Sequence, residues 1–96
     1  MIDLVIQEDR VSYECLRQKT PLDYLLIAVV LCVGSEIVES KRQEEFEKIC
    51  VHFGNKKIKI SCRCGEESKE EFLRLVSSCY ILKNVKFEVE VDFEIV

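Results

Sequence analysis

The sequence has little of what marks specialised classes of protein. It contains no tryptophan, one proline, three glycines and one histidine, and its net charge is only −4. The low content of proline and glycine argues against a disordered chain. The mild negative charge argues against a nucleic-acid-binding module with a basic surface. The longest apolar run, residues 24–33, is short for a membrane-spanning helix, and no signal peptide is evident. We therefore expect an intracellular protein, cytoplasmic or nuclear, with no membrane partner.

Cysteine is the residue type present in excess. The six cysteines are Cys15, Cys32, Cys50, Cys62, Cys64 and Cys79. Because nothing indicates secretion, we expect reduced thiols that behave as small buried hydrophobes rather than a disulfide framework. The chain is too short for two cores, so residues 1–96 are expected to form a single α+β domain.

Residues 2–16 are predicted to form a β-hairpin. Apolar and polar side chains alternate along them with a period of two, which is typical of strands with one buried face. A turn at Glu8-Asp9 would pair Leu4 with Tyr13 and would place the alternating apolar side chains of both strands on the same face.

The segment after this hairpin is predicted to be a helix. Thr20-Pro21-Leu22-Asp23 is typical of a helix start, because threonine can cap and proline fits the first helical position. We expect the helix to end at Gly34, and to need cover on more than one side because residues 24–33 are apolar all round. Its β-branched residues leave a buried strand as an alternative for part of the segment. Residues 35–46 are either a short helix that begins near Ser40 or a polar connecting loop.

Residues 47–64 are predicted to form a second hairpin. Gly54-Asn55 is a strong signal for a two-residue turn, and it would pair Val51 with Ile58. This register gives the hairpin one core face and one polar, cationic face. The core face carries Ile49, Val51, Phe53, Ile58, Ile60, Cys62 and Cys64, and the polar face carries Cys50, His52, Lys57, Lys59, Ser61 and Arg63.

The remainder of the chain is predicted to contain a helix and a long strand. Ser68 and Glu71 have the spacing of a capping box, and the helix should run to about Lys83. Residues 85–96 alternate almost perfectly, and their acidic face matches the cationic strand at 56–64, so the two strands should be neighbours. The expected fold is α+β: an antiparallel or mixed sheet of about five strands with two helices on one face, in the order ββα(α)ββαβ.

Four possible metal ligands lie on the second hairpin, namely Cys50, His52, Cys62 and Cys64. Tetrahedral zinc sites use thiolate and imidazole ligands, and a thiol-dependent protein would use the same side chains. The predicted register places the first two on one face and the last two on the other, which favours core thiols over a shared site. We therefore predict no catalytic residue, cofactor or metal, with a cysteine/histidine metal- or thiol-dependent protein as an alternative.

Two non-catalytic interpretations remain. The cationic face of Lys57, Lys59 and Arg63 suits an RNA-binding module, although single-strand readers usually add aromatic side chains there. The second interpretation is protein–protein interaction, because a short chain would hardly cover both the apolar helix and the long strand alone. We therefore expect a non-enzymatic assembly subunit that forms a homodimer or docks onto a larger protein, and that meets nucleic acid only indirectly.

Residues 11–82 resemble, in their order of elements, the small dimerisation subunit of the KEOPS complex, a tRNA-modification assembly. The most similar part is the second helix, where Leu73-Arg74 is followed after three residues by Ser78-Cys79-Tyr80-Ile81. The chain departs from that family at Cys64-Gly65-Glu66, and by a final strand where the family continues as helix. The resemblance implies a two-fold dimer without an active site that docks onto a larger enzyme subunit. Its partner-binding residues would be Arg74, Ser78 and Tyr80.

Overall fold

A computed structural model describes residues 1–15 and 18–96 of the protein. The elements are β1 (Ile2–Gln7), β2 (Arg10–Cys15), α1 (Pro21–Ser40), β3 (Glu47–Gly54), β4 (Lys57–Cys64), α2 (Lys69–Ser77), α3 (Tyr80–Lys83) and β5 (Glu88–Ile95), with 3₁₀ turns at Gln43–Glu45 and Glu66–Ser68. The strands form one sheet in the order β2-β1-β3-β4-β5, with β5 parallel to β4 and the other neighbours antiparallel. The predicted α+β class with a mixed five-stranded sheet is confirmed, and the described residues form three α-helices where two were expected.

The first hairpin has the predicted register. Leu4 lies opposite Tyr13, and Glu8 at the turn has a φ of 57°, in the left-handed region that two-residue hairpin turns require. The predicted hairpin extended to Leu16, which lies outside the described residues. On its other side β1 meets β3 through only two residue pairs, Ile2–Val51 and Asp3–Cys50.

Helix α1 begins as predicted but is longer. Thr20 and Asp23 form a reciprocal capping box, in which the Asp23 N–H bonds to Thr20 Oγ1 and the Thr20 N–H bonds to Asp23 Oδ2. The expected end at Gly34 is wrong, because Gly34 has helical neighbours on both sides and is buried against the first hairpin. The helix ends at Ser40, where Lys41 adopts a left-handed φ of 60° and donates its N–H to the Val38 carbonyl.

Neither alternative for residues 35–46 holds for residues 35–40, which extend α1, whereas residues 41–46 are a polar connection that contains the short 3₁₀ turn Gln43–Glu45. The strand alternative for part of α1 is wrong too. At 20 residues, α1 is long and apolar enough to cross a membrane by length and composition alone, which the shorter apolar run did not indicate. A core helix meets the same criteria, and here α1 buries one side against the sheet.

The second hairpin keeps its predicted faces but shifts its turn by one residue. Asn55 and Lys56 both have positive φ, 52° and 61°, as a type I′ turn requires. Phe53 therefore pairs with Ile58 instead of Lys56. Because this shift changes every pairing by two residues, each side chain stays on its predicted face.

The predicted helix from Ser68 to Lys83 is interrupted. Ser68 does not cap it: its hydroxyl donates instead to Glu45 Oε1 at 2.9 Å. The hydroxyls of Ser77 and Ser78 bond back to carbonyls four residues earlier, which weakens a helix, and Cys79 is extended with φ −76° and ψ 101°. These contacts end α2 and allow the short α3 to start in a new direction.

The core lies between the sheet and the helices. Phe72 of α2 is its largest fully buried side chain, with its ring 5.3 Å from that of Phe46 and 5.8 Å from that of Phe93. The outer face of the sheet carries the charged side chains, as predicted. The inward side chains of β4 are all buried, whereas those of the edge strand β5 are only partly buried.

Candidate protein-interaction surface

The last strand, β5, is an edge strand that the helices cover only in part. Its inward side chains Val89, Val91 and Phe93 are half-buried, whereas Ile58 and Ile60 of neighbouring β4 are fully buried. On one side β5 pairs with β4 along its whole length, and on the other side no described strand follows it. This edge therefore combines backbone groups without a strand partner with incompletely covered apolar side chains.

A groove of about 300 Å³ runs between α2–α3 and β5. Its walls are mostly apolar and consist of Leu73, Val76, Ser77, Cys79, Leu82, Lys83, Val89 and Val91. Leu73 is 42% exposed at the rim of this groove, and Tyr80, at the start of α3, is 70% exposed. We refer to the groove together with β5 as the β5 surface.

Sequence reasoning did not find this groove. It depends on where α2 stops, because the break after Ser77 leaves the β5 end of the sheet with a short helix above it. Leu73, a large apolar residue that α2 leaves exposed, is the one signal in the sequence that pointed to the groove.

The outward face of β5 is acidic and lies beside the cationic face of β4, as predicted. Lys59 Nζ lies 2.9 Å from Asp92 Oδ2, and Lys57 Nζ lies 3.9 Å from Glu88 Oε2. The hydrogen bond and charge of Asp92 raise the pKa of Lys59. Since these lysines already have carboxylate partners, little of their charge is left for phosphate groups.

The three residues that the resemblance placed at a partner interface lie in and beside the α2–α3 break. Arg74 is exposed and donates from Nε to Glu71 Oε2 at 3.2 Å. Ser78 is exposed and donates to the Arg74 carbonyl at 3.1 Å, and Tyr80 projects into solvent. The fold thus places Arg74, Ser78 and Tyr80 in one short segment, close to the groove residue Leu73.

Arg74 belongs to a chain of charges that fixes α2 to the 3₁₀ turn before β3. Glu71 pairs with Arg74 and also lies 3.3 Å from Arg42, which forms a two-bond contact with Glu45. The hydrogen bond from Arg74 is the main cause that lowers the pKa of Glu71, and the charge of Arg42 adds to it. The hydroxyl of Ser68 completes the network through Glu45.

The cysteines and the histidine of the second hairpin lie where the register predicted. Cys50 and His52 are on the outer face, where Cys50 Sγ is 2.7 Å from Ser61 Oγ, while Cys62 and Cys64 are 2% exposed in the core. Within residues 1–15 and 18–96, no group of three or more His, Cys, Asp or Glu side chains is arranged to hold a metal ion.

Burial makes the core thiols poor nucleophiles. It raises the pKa of Cys62 from 9.0 to about 12, and it also raises the pKa of Cys64 and of Cys79. A thiolate is the reactive and metal-binding form of cysteine, so these three side chains stay protonated near neutral pH. None of the six cysteines is in a disulfide.

A second cavity, of about 610 Å³, opens where β1 separates from β3. Lys48, with a φ of 50°, lies in a bulge of β3 where the pairing with β4 changes register between Glu47 and Cys50. The cavity is bordered by the carboxylates of Glu8, Glu44 and Glu47 as well as by apolar side chains. It is wide and open to solvent.

The two edges of the sheet thus differ in charge. The outward side chains of β5 are all acidic, whereas those of β2 change along the strand from basic Arg10 through Ser12 to acidic Glu14.

Comparison with known proteins identified no relative: no family model, no curated protein and no solved structure matches this chain.

Proposed function

We propose that the protein is a non-enzymatic assembly subunit that docks onto a larger protein through the β5 surface. The observation that carries this proposal is the half-buried inner face of an edge strand beside an apolar groove. An added strand would satisfy the outward backbone groups of β5, and its side chains would cover Leu73, Val89 and Val91.

The charge of β5 specifies the chemistry of the partner. Outward side chains of an added strand would lie beside Glu88, Glu90, Asp92 and Glu94, so favourable cross-strand pairs require lysine or arginine there. Within the described part of the chain, neither Glu90 nor Glu94 forms an ion pair, so both are available to such a partner. The inward side chains of the added strand would be apolar. The expected partner segment therefore alternates basic and apolar residues.

The resemblance to the KEOPS dimerisation subunit extends the proposal to a tRNA-modification assembly. In that case Arg74, Ser78 and Tyr80 would contact the larger subunit, while nucleic acid would meet the assembly elsewhere. The position of Tyr80 next to the groove supports a single continuous interface. Loss of co-purification with a tRNA-modifying enzyme after Tyr80→Ala, with the β-sheet intact, is the expected result.

A pair of labelled peptides tests docking at the β5 surface directly. One peptide alternates lysine with valine and the other alternates glutamate with valine, and binding is followed by fluorescence anisotropy. We expect the basic peptide alone to bind, with an affinity that falls as salt is raised. Leu73→Asp should abolish binding because it places a charge at the groove rim.

Leu31→Asp is the matched control, since Leu31 is similarly exposed, at 37%, but lies on α1. It should leave peptide binding unchanged. Equal binding of the two peptides, or equal loss in the two variants, would contradict docking at the β5 surface.

A further inference from the structure

We propose that the chain forms a two-fold homodimer in which β2 pairs antiparallel with β2 of a second copy, centred on Ser12. The joined sheet would have ten strands, five from each copy. This inference goes beyond docking at the β5 surface, because it uses the opposite edge of the sheet and names its occupant.

The backbone of β2 is oriented for such pairing. The first hairpin closes at Gln7–Arg10, and Val5 lies opposite Ser12. In a two-residue hairpin the closing pair is hydrogen-bonded and alternate pairs follow it, so Arg10 and Ser12 use their backbone groups toward β1. The N–H and C=O groups of Val11 and Tyr13 consequently point away from β1, toward the side on which no described strand lies.

The outward side chains of β2 are complementary to themselves. Along the strand they are Arg10, Ser12 and Glu14, all of them exposed. An antiparallel copy centred on Ser12 places each Arg10 opposite Glu14 of the other copy, and the two-fold axis creates this pair twice. If one strand is shifted by two residues in either direction along the other, both Arg10–Glu14 pairs are lost. The charges therefore favour one register of the two strands.

Each copy also has an electrostatic reason to accept this partner. Glu14 lies directly opposite Asp3 on β1, and like charges in that position are unfavourable. Within residues 1–15 and 18–96, neither Arg10 nor Glu14 forms an ion pair. The second copy's Arg10 would bring a cation next to this acidic pair.

The same reasoning excludes β5 as the self-pairing edge. Its outward side chains are Glu88, Glu90, Asp92 and Glu94, so two antiparallel copies of β5 would oppose acid to acid at every position. The sheet therefore has one edge that accepts a second copy and one edge that repels it.

Apolar surface on α1 borders the β2 edge. Gly34 of α1 lies against Val11 of β2, and Leu31 is one helical turn from Gly34. Tyr24, two turns before Leu31, is 61% exposed, and Leu31 is 37% exposed. A two-fold axis perpendicular to the sheet puts the α1 helices of both copies on the same side, where these side chains would extend the cover of the joined sheet.

A charge-reversal cycle tests the pairing. The association constant is measured by sedimentation equilibrium on the reduced full chain, with circular dichroism to verify folding. Arg10→Glu and Glu14→Arg should each weaken the dimer by about tenfold or more, because two attractive pairs become repulsive together. The double variant Arg10→Glu/Glu14→Arg should recover the dimer, since the pairs reform with their charges exchanged. The proposal would be overturned if the original chain were monomeric, or if the association constant of the double variant were no higher than those of the single variants.

A second measurement depends on register and not on charge. In the proposed dimer the two Ser12 residues form a non-hydrogen-bonded pair, with Cα atoms about 4.5 Å apart, which suits a disulfide. Mild oxidation of Ser12→Cys should give a covalent dimer on a non-reducing gel. Glu14→Cys is the control, because its two copies would be roughly 14 Å apart. Crosslinking of both variants, or of neither, would refute the register, and Leu73→Asp should remain dimeric whether or not it binds the basic peptide.

Discussion

Replacing Gly34 with alanine should destabilise this protein, although the same change stabilises an ordinary helix. In a helix interior alanine is favoured over glycine by about 1 kcal/mol, because glycine loses more backbone entropy on folding. Gly34, however, is buried within α1. A Cβ atom there would lie 2.4 Å from Val11 Cγ1 and 2.8 Å from Leu4 Cδ1, far inside normal contact distance.

The clash should outweigh the helix preference. Leu4 can move a terminal methyl group, but Val11 is β-branched and stiff about χ1, so relief there requires the hairpin to shift. Overpacking of this kind costs about 1–3 kcal/mol. Subtracting a helix gain of about 1 kcal/mol leaves a net loss of about 1 kcal/mol. For a domain of this size, that loss lowers the melting temperature by about 4–8 °C.

Urea unfolding followed by far-ultraviolet circular dichroism measures the effect. Ser35→Ala is the control, because Ser35 is the exposed neighbour of Gly34 and should gain up to about 0.5 kcal/mol. The double variant Val11→Ala/Gly34→Ala should be less destabilised than the sum of its single changes, because the first change removes the closest methyl group. If Gly34→Ala raised the unfolding free energy as Ser35→Ala does, α1 would not press on the first hairpin and the reasoning would be refuted.

Three further predictions concern the helix cap, the core and the thiols. Thr20→Ala should lower the unfolding free energy by about 1 kcal/mol in urea titrations, because it removes the N-cap of α1; no loss would mean that the cap is replaceable. Phe72→Ala should cost about 3–5 kcal/mol and bring the protein close to unfolding in calorimetry, since its ring contacts two other aromatic rings; Leu73→Ala, on the exposed side, is the control. Because burial raises the pKa of Cys62 from 9.0 to about 12, its stabilising contribution is complete below pH 9 and is lost as the pH rises toward 12. Cys62→Ala should therefore lessen the alkaline decline of the unfolding free energy, and an unchanged decline would contradict the assignment.

The faces of the strands were predictable because the side-chain period of a strand is two. The alternation of side chains along the strands was enough to place Cys50 and Cys62 on opposite faces of the sheet. It was also enough to predict that the acidic face of β5 lies beside the cationic face of β4. A turn displaced by one residue, as at Asn55, changes the pairing partners without exchanging the faces. An error of one residue in the position of a turn therefore leaves the predicted burial of each strand residue correct.

The ends of the helices were not predictable, because tertiary contacts decide them. Gly34 has the sequence appearance of a helix stop, but its lack of a side chain serves close packing against Val11. Ser68 has the spacing of a cap, but its hydroxyl bonds to a residue far away in sequence. The groove beside β5 was missed for the same reason, since it follows from the break after Ser77.

The narrow seam between β1 and β3 has a consequence for how the molecule opens. Because β1 and β3 share only two residue pairs, we expect β1–β2 and β3–β4–β5 to open as separate units. Helix α1 packs against β1, β2 and β3 as well as against α2 and α3, so it joins the two units together with the β1–β3 pairing. Amide hydrogens of the first hairpin should therefore exchange in concert with those of α1, through an opening that leaves the pairing of β4 with β5 intact. The single sheet should therefore open as two cooperative units that α1 holds together.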